Sequence, residues 1–313
     1  MNGGGFRPES MDLLTPDALD RLSRLEFVAR GVVEGFVTGL HKSPYKGFSA
    51  EFAEHRQYVP GDDIRGLDWR VYARNDRYFV KQYVEETNLR ATILLDASAS
   101  MRYTGEHAAR VNNRRISKFE YARHLAASLA YLMINQQDAV GLVTFDANIR
   151  RYVPARSRPT HLRILLDEMY GTQASEVTRI APVFHEMAER VHRRGLVIIV
   201  SDLFDDHEEL LKALHHFRYR KHEVVLIHVM AEEELTFPFT TWKNFRSLEI
   251  VGQEIRLDAR AVQAAYLDRV HEFVRQLETG CGQMHIDYVP MCTRRPFEVA
   301  LSDYLAARRS RGR

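Results

Sequence analysis

The sequence is poor in cysteine and nearly balanced in charge. Only two of its 313 residues are cysteine, Cys281 and Cys292, and they do not form a C-x-x-C pair. Two free thiols in a reducing compartment are the simplest interpretation, with a single disulfide as the alternative. The formal net charge is only +2. This small excess argues against a nucleic-acid-binding protein that depends on bulk positive charge.

Long hydrophobic runs and nucleotide-binding motifs are also absent. The strongest apolar runs, such as GLVIIV, are far too short to span a bilayer. The opening residues, MNGGGFRPES, lack the basic-then-apolar layout of a secretory signal peptide. The chain contains no G-x-S-x-G, no G-x-x-x-x-G-K-[ST] and no G-x-G-x-x-G. We therefore predict a cytoplasmic protein without a membrane span and without an ATPase activity of its own.

The first part of the chain differs in character from the rest. Residues 1–14 are rich in glycine and are predicted to be disordered. Residues 15–89 predict a helix, with Thr15 as its N-cap, followed by a segment rich in aromatic and β-branched residues. Turn-forming residues at 60–63 interrupt that segment, which predicts a small β-rich lobe of short strands. At the other end, residues 309–313 are a basic tail that we expect to be solvated.

Residues 90–308 alternate between strand and helix patterns. Apolar runs that predict strands, such as ATILLD, DAVGLVTFD, GLVIIVSD and HEVVLIHVM, are separated by segments with apolar residues at three- and four-residue steps. Such alternation is typical of an α/β fold, and fully apolar strands indicate a sheet that is covered on both faces. We predict a doubly wound, mainly parallel, Rossmann-like sheet for this domain.

Two of the predicted strands end on an acid. TILLD ends at Asp96, and VIIVSD ends at Asp202. In an open α/β sheet, ligands bind at the carboxyl ends of the strands. We therefore expect both carboxylates to point into one crevice.

Two serines at alternate positions follow the first of these acids, in Asp96-x-Ser98-x-Ser100. Magnesium takes oxygen ligands and keeps several waters, so a carboxylate and two hydroxyls on one tight loop predict a divalent metal site. Neutral serine ligands would leave the metal with surplus positive charge, and it would then attract an acid from another molecule. The alternatives are a simple turn and a helix N-cap formed by serine.

The same residues resemble the metal-ion-dependent adhesion site of von Willebrand factor A domains. That family adds a threonine from a second loop and an aspartate from a third, and the resemblance assigns these to Thr178 and Asp202. It implies Mg²⁺, or Mn²⁺, held by Asp96, Ser98, Ser100, Thr178 and Asp202, with an acidic residue of a partner protein completing the coordination. N-capping is the alternative for Thr178, and Asp202 could instead belong to the first turn of the next helix.

A wider resemblance extends from about residue 41 over nearly all of the remaining chain. The block from HKSPYKGFSAEF to LLDASASM, and later SDLFDD, HEVVLIHVM and LTFPF, resembles the bacterial family called domain of unknown function 58. The resemblance implies a von Willebrand factor A-like domain that acts as an adaptor for a MoxR-type AAA+ ATPase in protein assembly or maturation. Residues 102–117 form a longer segment than the family pattern has at this place, and they could reshape the partner face or cover the metal site.

An enzyme is the competing hypothesis. An aspartate at the end of a strand can act as a phosphoryl-accepting nucleophile, so Asp96 could serve a Mg²⁺- or Mn²⁺-dependent hydrolase or phosphatase. The haloacid-dehalogenase-like pattern requires a second acid two residues later, where this chain has Ser98. No base for a metal-bound water stands out in the sequence. We therefore predict a non-enzymatic, metal-dependent protein-binding module.

Overall fold

The computed structural model describes residues 50–59, 68–75, 78–85, 89–174, 179–250 and 252–311. These residues fall into two units, a small one within residues 41–88 and a larger one from Leu89 onward. The N-terminal helix predicted from Thr15, the disorder predicted for residues 1–14 and the metal ligand predicted at Thr178 lie outside the described residues.

The small unit is built on one antiparallel strand pair. Strand β1 (Ala50–Gln57) pairs with β2 (Phe79–Glu85), and the register shifts between Phe52 and Glu54. Helix α1 (Trp69–Asn75) lies between them in the chain. The sequence pattern had predicted only strands and turns here. The helix forms because Asp68 accepts a hydrogen bond from the backbone N–H of Val71 at 3.3 Å, as an N-cap residue does.

A six-stranded sheet forms the centre of the larger unit. Its strands are β3 (Arg90–Asp96), β6 (Ala139–Phe145), β7 (Ile149–Arg156), β8 (Leu196–Ser201), β9 (Glu223–Met230) and β12 (Asp287–Cys292). Their spatial order is β12-β9-β8-β3-β6-β7, and all neighbours are parallel except the β6–β7 pair. The chain therefore runs outward from β3 in both directions, which confirms the predicted doubly wound, mainly parallel sheet.

Helices cover both faces of this sheet. They are α2 (Lys118–Asn135), α3 (Pro159–Gly171), α4 (Ile180–Arg190), α5 (His207–Tyr219), α6 (Glu232–Thr236), α7 (Ala259–Gln283) and α8 (Phe297–Arg311). Apolar side chains of α2, α3 and α8 share one core cluster with Ile93 and Leu95, while those of α4, α5 and α7 share a second cluster with Leu94. Alternate residues of β3 thus point to opposite faces. Helix α8 extends to Arg311, into the segment predicted as a basic tail.

Two small hairpins lie outside the sheet. Strands β4 (Arg110–Val111) and β5 (Arg114–Arg115) form the first, and β10 (Trp242–Arg246) and β11 (Glu254–Asp258) form the second. The first hairpin lies within residues 102–117, and the backbone N–H of Ala109 donates to the carbonyl of Thr293 at 2.7 Å. This bond ties the inserted segment to the loop that follows β12.

Neither a membrane span nor a disulfide occurs in the described part of the chain. No helix there is both long and apolar enough to cross a bilayer. Both cysteines are free thiols, and Cys281 is buried.

Candidate metal centre

The two acids predicted to converge lie on neighbouring strands. Strands β3 and β8 are parallel partners in which Leu95 is opposite Val200. Asp96 is the last residue of β3, and Asp202 directly follows the last residue of β8. Both side chains are buried at the carboxyl edge of the sheet, and they are close enough for the Asp202 charge to affect Asp96. The predicted convergence of Asp96 and Asp202 is confirmed.

Asp96 is fully buried and both of its carboxylate oxygens accept hydrogen bonds. The backbone N–H of Ser98 donates to Oδ1 at 2.8 Å, and the hydroxyl of Ser201 donates to Oδ2 at 2.5 Å. The first bond turns the chain sharply after β3, and the second links Asp96 to the adjacent strand. Ser201 was not predicted as a site residue, although it directly precedes Asp202 in the sequence.

The two predicted serine ligands lie side by side. The hydroxyl oxygens of Ser98 and Ser100 are 3.0 Å apart, and the Ser100 hydroxyl also donates to the carboxylate of Asp202. Ser98 precedes a short 3₁₀ helix at Ala99–Arg102, but its side chain makes no capping hydrogen bond to that helix. The N-cap interpretation of Ser98 is therefore wrong in this structure, because its hydroxyl faces the acids.

Asp202 is not a helix-capping residue either. Asp206 caps α5 by accepting from the backbone N–H groups of Glu208 and Glu209, and Asp205 accepts from Ile180 and Ala181 at the start of α4. The carboxylate of Asp202 instead accepts from Ser100 and from Lys118.

The loop after Asp202 turns abruptly. Leu203 is fully buried and has a φ of 56°, in the left-handed region that bulky residues rarely adopt. The next side chain, Phe204, is 68% exposed, although it is large and apolar. Backbone strain of this kind is concentrated at binding and catalytic sites.

Lys118 is a member of the site that the sequence interpretation missed. Its side chain is only 3% exposed, and its Nζ lies 2.8 Å from Asp202 Oδ2 and 2.6 Å from Glu234 Oε1. A lysine in the first turn of a helix is unfavourable, since the positive end of the helix dipole repels it. The position of Lys118 directly after Ser117, at the start of a predicted helix, could have indicated that this lysine has a specific acidic partner.

His228 supports the backbone of the site. Its Nε2 donates to the carbonyl oxygen of Asp202 at 3.0 Å, and the hydroxyl of Tyr288 donates to Nδ1 at 2.7 Å. Burial lowers the pKa of His228 to about 4, so the imidazole is neutral at physiological pH. This residue was not predicted from the sequence, where HEVVLIHVM indicated only a buried strand.

The electrostatics of the site are dominated by burial and by one ammonium group. Burial and the nearby Asp202 raise the pKa of Asp96 to about 7. Burial alone would also raise the pKa of Asp202, but the Lys118 ammonium outweighs it and lowers that pKa. Conversely, burial would lower the pKa of Lys118, and Asp202 and Glu234 together raise it. The Lys118 ammonium is thus paired with two carboxylates, Asp202 and Glu234, and not with Asp96.

The side chains that the structure brings together are compatible with a hard divalent cation. Two carboxylates and two hydroxyls present only oxygen atoms, the donor type that magnesium and manganese prefer. Lys118 already occupies one oxygen of Asp202, so a metal would share that carboxylate with the ammonium group or displace it. Among the described residues, no group of three or more His, Cys, Asp and Glu side chains is arranged to hold a metal ion, at this site or elsewhere.

Comparison with known proteins gives matches to a family and to several relatives. A family model described as "Protein of unknown function DUF58" matches residues 54–273. Uncharacterised proteins of Mycobacterium bovis and Mycobacterium tuberculosis are each 27% identical to this chain over 239 residues, which is 74% of this chain and 72% of theirs.

Solved structures with similar folds are more distant in sequence. A conserved hypothetical protein, BatB from Bacteroides thetaiotaomicron, is 17% identical with a TM-score of 0.43, covering 70% of this chain and 98% of that one. An aerotolerance-related membrane protein from Bacteroides fragilis is 16% identical with a TM-score of 0.44, covering 71% and 99%. The VWA domain of SpRpn10 is 12% identical with a TM-score of 0.39, covering 68% and 94%.

Proposed function

The chain belongs to the DUF58 family of proteins of unknown function, and we propose that within this family it is a metal-dependent protein-binding module. One observation carries the proposal. The oxygen atoms of Asp96, Ser98, Ser100 and Asp202 converge from two separate loops at the carboxyl edge of the sheet. Neither a turn nor a helix cap requires that convergence.

Each converging residue would have a distinct part in holding the cation. Asp96 contributes charge from the end of β3, and the hydroxyls of Ser98 and Ser100 contribute neutral oxygens. Asp202 contributes a second charge that Lys118 partly neutralises. The resemblance to von Willebrand factor A domains adds Thr178 to this set. A bound Mg²⁺ or Mn²⁺ would supply an open coordination position for an acidic side chain of the partner protein.

The burial and hydrogen bonding of the Asp96 carboxylate support a binding role rather than a catalytic one. A nucleophilic carboxylate needs an oxygen that is free to attack, whereas both oxygens of Asp96 are buried and hydrogen-bonded. We propose that the chain does not hydrolyse phosphate esters. A phosphatase screen with Mg²⁺ or Mn²⁺ tests this point, and turnover that disappears on Asp96→Asn substitution would refute it.

The partner class that we propose follows from the sequence resemblance. It is a MoxR-type AAA+ ATPase in the cytoplasm, with which this chain would act in assembling or maturing other proteins. Affinity capture from the native host, with and without EDTA, tests the partnership. The ATPase should be recovered with metal and be depleted by the chelator; recovery in equal yield would remove the metal from the interface.

Metal binding itself can be tested on the isolated protein. We expect Mn²⁺ titration, followed by electron paramagnetic resonance of the free ion, to show one site in the native protein. Asp96→Asn and Ser98→Ala should weaken that site at least tenfold, because each removes or neutralises an inner oxygen ligand. Circular dichroism establishes that each variant is folded.

A matched control distinguishes the site from surface carboxylates. Asp206 caps α5 four residues after Asp202, and Asp206→Ala should leave Mn²⁺ affinity unchanged while lowering stability through the loss of the N-cap hydrogen bonds. Equal Mn²⁺ affinity of the native protein and the folded Asp96→Asn variant would contradict the proposal.

A further inference from the structure

A second candidate binding site lies beside the metal centre. It is a pocket of about 530 Å³ between α6, the β10–β11 hairpin and α7. Tyr103 forms part of its wall, and the backbone N–H of Tyr103 donates to the carbonyl of Ser100 at 3.3 Å. The pocket and the candidate metal centre thus adjoin through one short loop.

Aromatic rings form most of the apolar wall. The ring of Phe237 is 5.1 Å from that of Phe239, 5.8 Å from that of Phe245 and 4.5 Å from that of Tyr266, measured between centroids. Phe237 has a φ of 43°, in the left-handed region where a bulky side chain is strained. Packing against three rings holds it there. These rings provide both faces and edges to an occupant.

Carboxylates form the polar end of the same pocket. Glu233 is only 3% exposed; its Oε1 lies 3.2 Å from both the backbone nitrogen and the ring Nδ1 of His107, and its Oε2, which has no hydrogen-bond partner among the described residues, lies against Gly105. Glu234 is the second acid, and it binds Lys118. The Lys118 ammonium is shared by Asp202 and Glu234, so it leaves the charge of the Glu233 carboxylate unpaired by a lysine. Arg269, the cation among the lining residues, is exposed at the rim.

We propose that this pocket binds a cationic ligand, in which an amine or guanidinium group is carried on an apolar or aromatic body. The acidic end would neutralise the cation, and the rings of Phe237, Phe239 and Phe245 would cover the body. Aromatic faces also attract cations directly, which adds to the selectivity for charge. A free amine and a lysine or arginine side chain of a partner protein share this chemistry. The proposal does not depend on metal binding.

The test uses titration calorimetry of the full chain in EDTA, so that the candidate metal centre does not contribute. Phenethylamine is the first probe, and phenethyl alcohol is its uncharged counterpart of similar size. A short peptide with one lysine between two leucines is the third probe, which distinguishes a protein side chain from a free amine. We expect at least one cationic probe to bind at least tenfold more tightly than the alcohol.

Two alanines of α7 supply a matched pair of variants. Ala264 and Ala265 are both exposed, but only Ala265 lines the pocket. Ala265→Phe should abolish binding of the cationic probe because the new ring fills the pocket, and Ala264→Phe should leave it unchanged. The proposal is overturned if no cationic probe binds, if the alcohol binds as tightly, or if the two variants behave alike.

Discussion

The ammonium group of Lys118 lies 2.8 Å from a carboxylate oxygen of Asp202, and both side chains are only 3% exposed. They are 84 residues apart in the chain, and the pair forms inside the candidate metal centre. Such a pair is costly to break from one side, because the remaining charge stays buried without a partner. Lys118 therefore acts as a built-in cation for an acidic site.

Replacing Lys118 by methionine should show that the buried Asp202 carboxylate requires a positive charge beside it. In EDTA at pH 8, we expect Lys118→Met to lower the free energy of unfolding by about 3–5 kcal/mol, as for other buried pairs cut on one side. Under the proposed function, Mn²⁺ should restore more stability to this variant than it adds to the native protein, since the metal no longer competes with the ammonium. Urea denaturation with and without Mn²⁺ measures both effects.

An exposed lysine provides the control for this substitution. Lys212 pairs with Glu209 on the surface and is 62% exposed. Lys212→Met should leave the free energy of unfolding nearly unchanged, with or without Mn²⁺. An identical Mn²⁺ response in Lys118→Met and the native protein would show that Lys118 and the metal do not share Asp202.

Tyr288 should stabilise the site through His228. Tyr288→Phe removes the hydroxyl that donates to Nδ1, and a buried acceptor without a donor costs about 1–3 kcal/mol. Tyr219 is 76% exposed, so Tyr219→Phe is the neutral control. Thermal or urea unfolding compares the two variants. If Tyr288→Phe is as stable as Tyr219→Phe, a water molecule replaces the Tyr288 hydroxyl as donor to His228 with no loss of stability.

The alternating pattern of the larger unit was predictable because its inner strands are fully buried and read as apolar runs. Strand β7 was not predicted, since it is an edge strand whose sequence, IRRYVPAR, has mostly exposed residues and a proline at position 154. The β10–β11 hairpin was missed for the same reason, because four of the five residues of β10 are exposed. Buried positions produce the apolar pattern from which a strand is predicted, and edge strands have few buried positions.

The sequence predicted the part of the candidate site that lies at the ends of strands. Asp96 and Asp202 follow apolar strands, and the parallel register brings them together. Lys118 is 84 residues from Asp202 and 116 residues from Glu234 in the chain, and no local pattern specifies either contact. The capping box of Ser117 and Glu120 explains why α2 begins at Lys118, whereas the partners of the Lys118 side chain depend on tertiary packing.

Asp138, which is not part of the candidate metal centre, should make the free energy of unfolding depend on pH. Its carboxyl is fully buried, Oδ1 accepts from the backbone N–H of Leu89 at 3.2 Å, and Oδ2 has no partner among the described residues. Burial raises the pKa of Asp138 from 3.8 to about 7. Between these values the folded state retains a proton that the unfolded state releases, so this group lowers stability as pH rises from about 4 to 7.

The variant Asp138→Asn removes this titration. We expect the stability difference, variant minus native, to grow by about 3 kcal/mol between pH 4.5 and pH 8. Urea denaturation at several pH values measures it, and pH effects common to both proteins cancel in the difference. A difference that stays constant across this range would mean that Asp138 is ionised in the folded state.

Phe204 should contribute to partner binding rather than to folding. It follows the strained Leu203, it is 68% exposed, and its backbone N–H donates to Asp202 at 3.3 Å. Exposed aromatic side chains beside a site are frequent hot spots of protein interfaces. Phe204→Ala should therefore change the free energy of unfolding by no more than about 0.5 kcal/mol. Under the proposed function, it should also reduce metal-dependent recovery of the AAA+ ATPase by about tenfold or more.

Tyr219→Ala is the matched control, because Tyr219 is as exposed as Phe204 but lies at the last residue of α5. Quantitative mass spectrometry of material captured with each variant in Mg²⁺ compares them. If Phe204→Ala recovers as much ATPase as Tyr219→Ala, the partner does not contact the loop after β8. If both variants lose the ATPase, the interface extends along α5 and is not centred on the candidate metal site. Loss confined to Phe204→Ala would place the partner next to Asp202, where an acidic side chain can reach the metal.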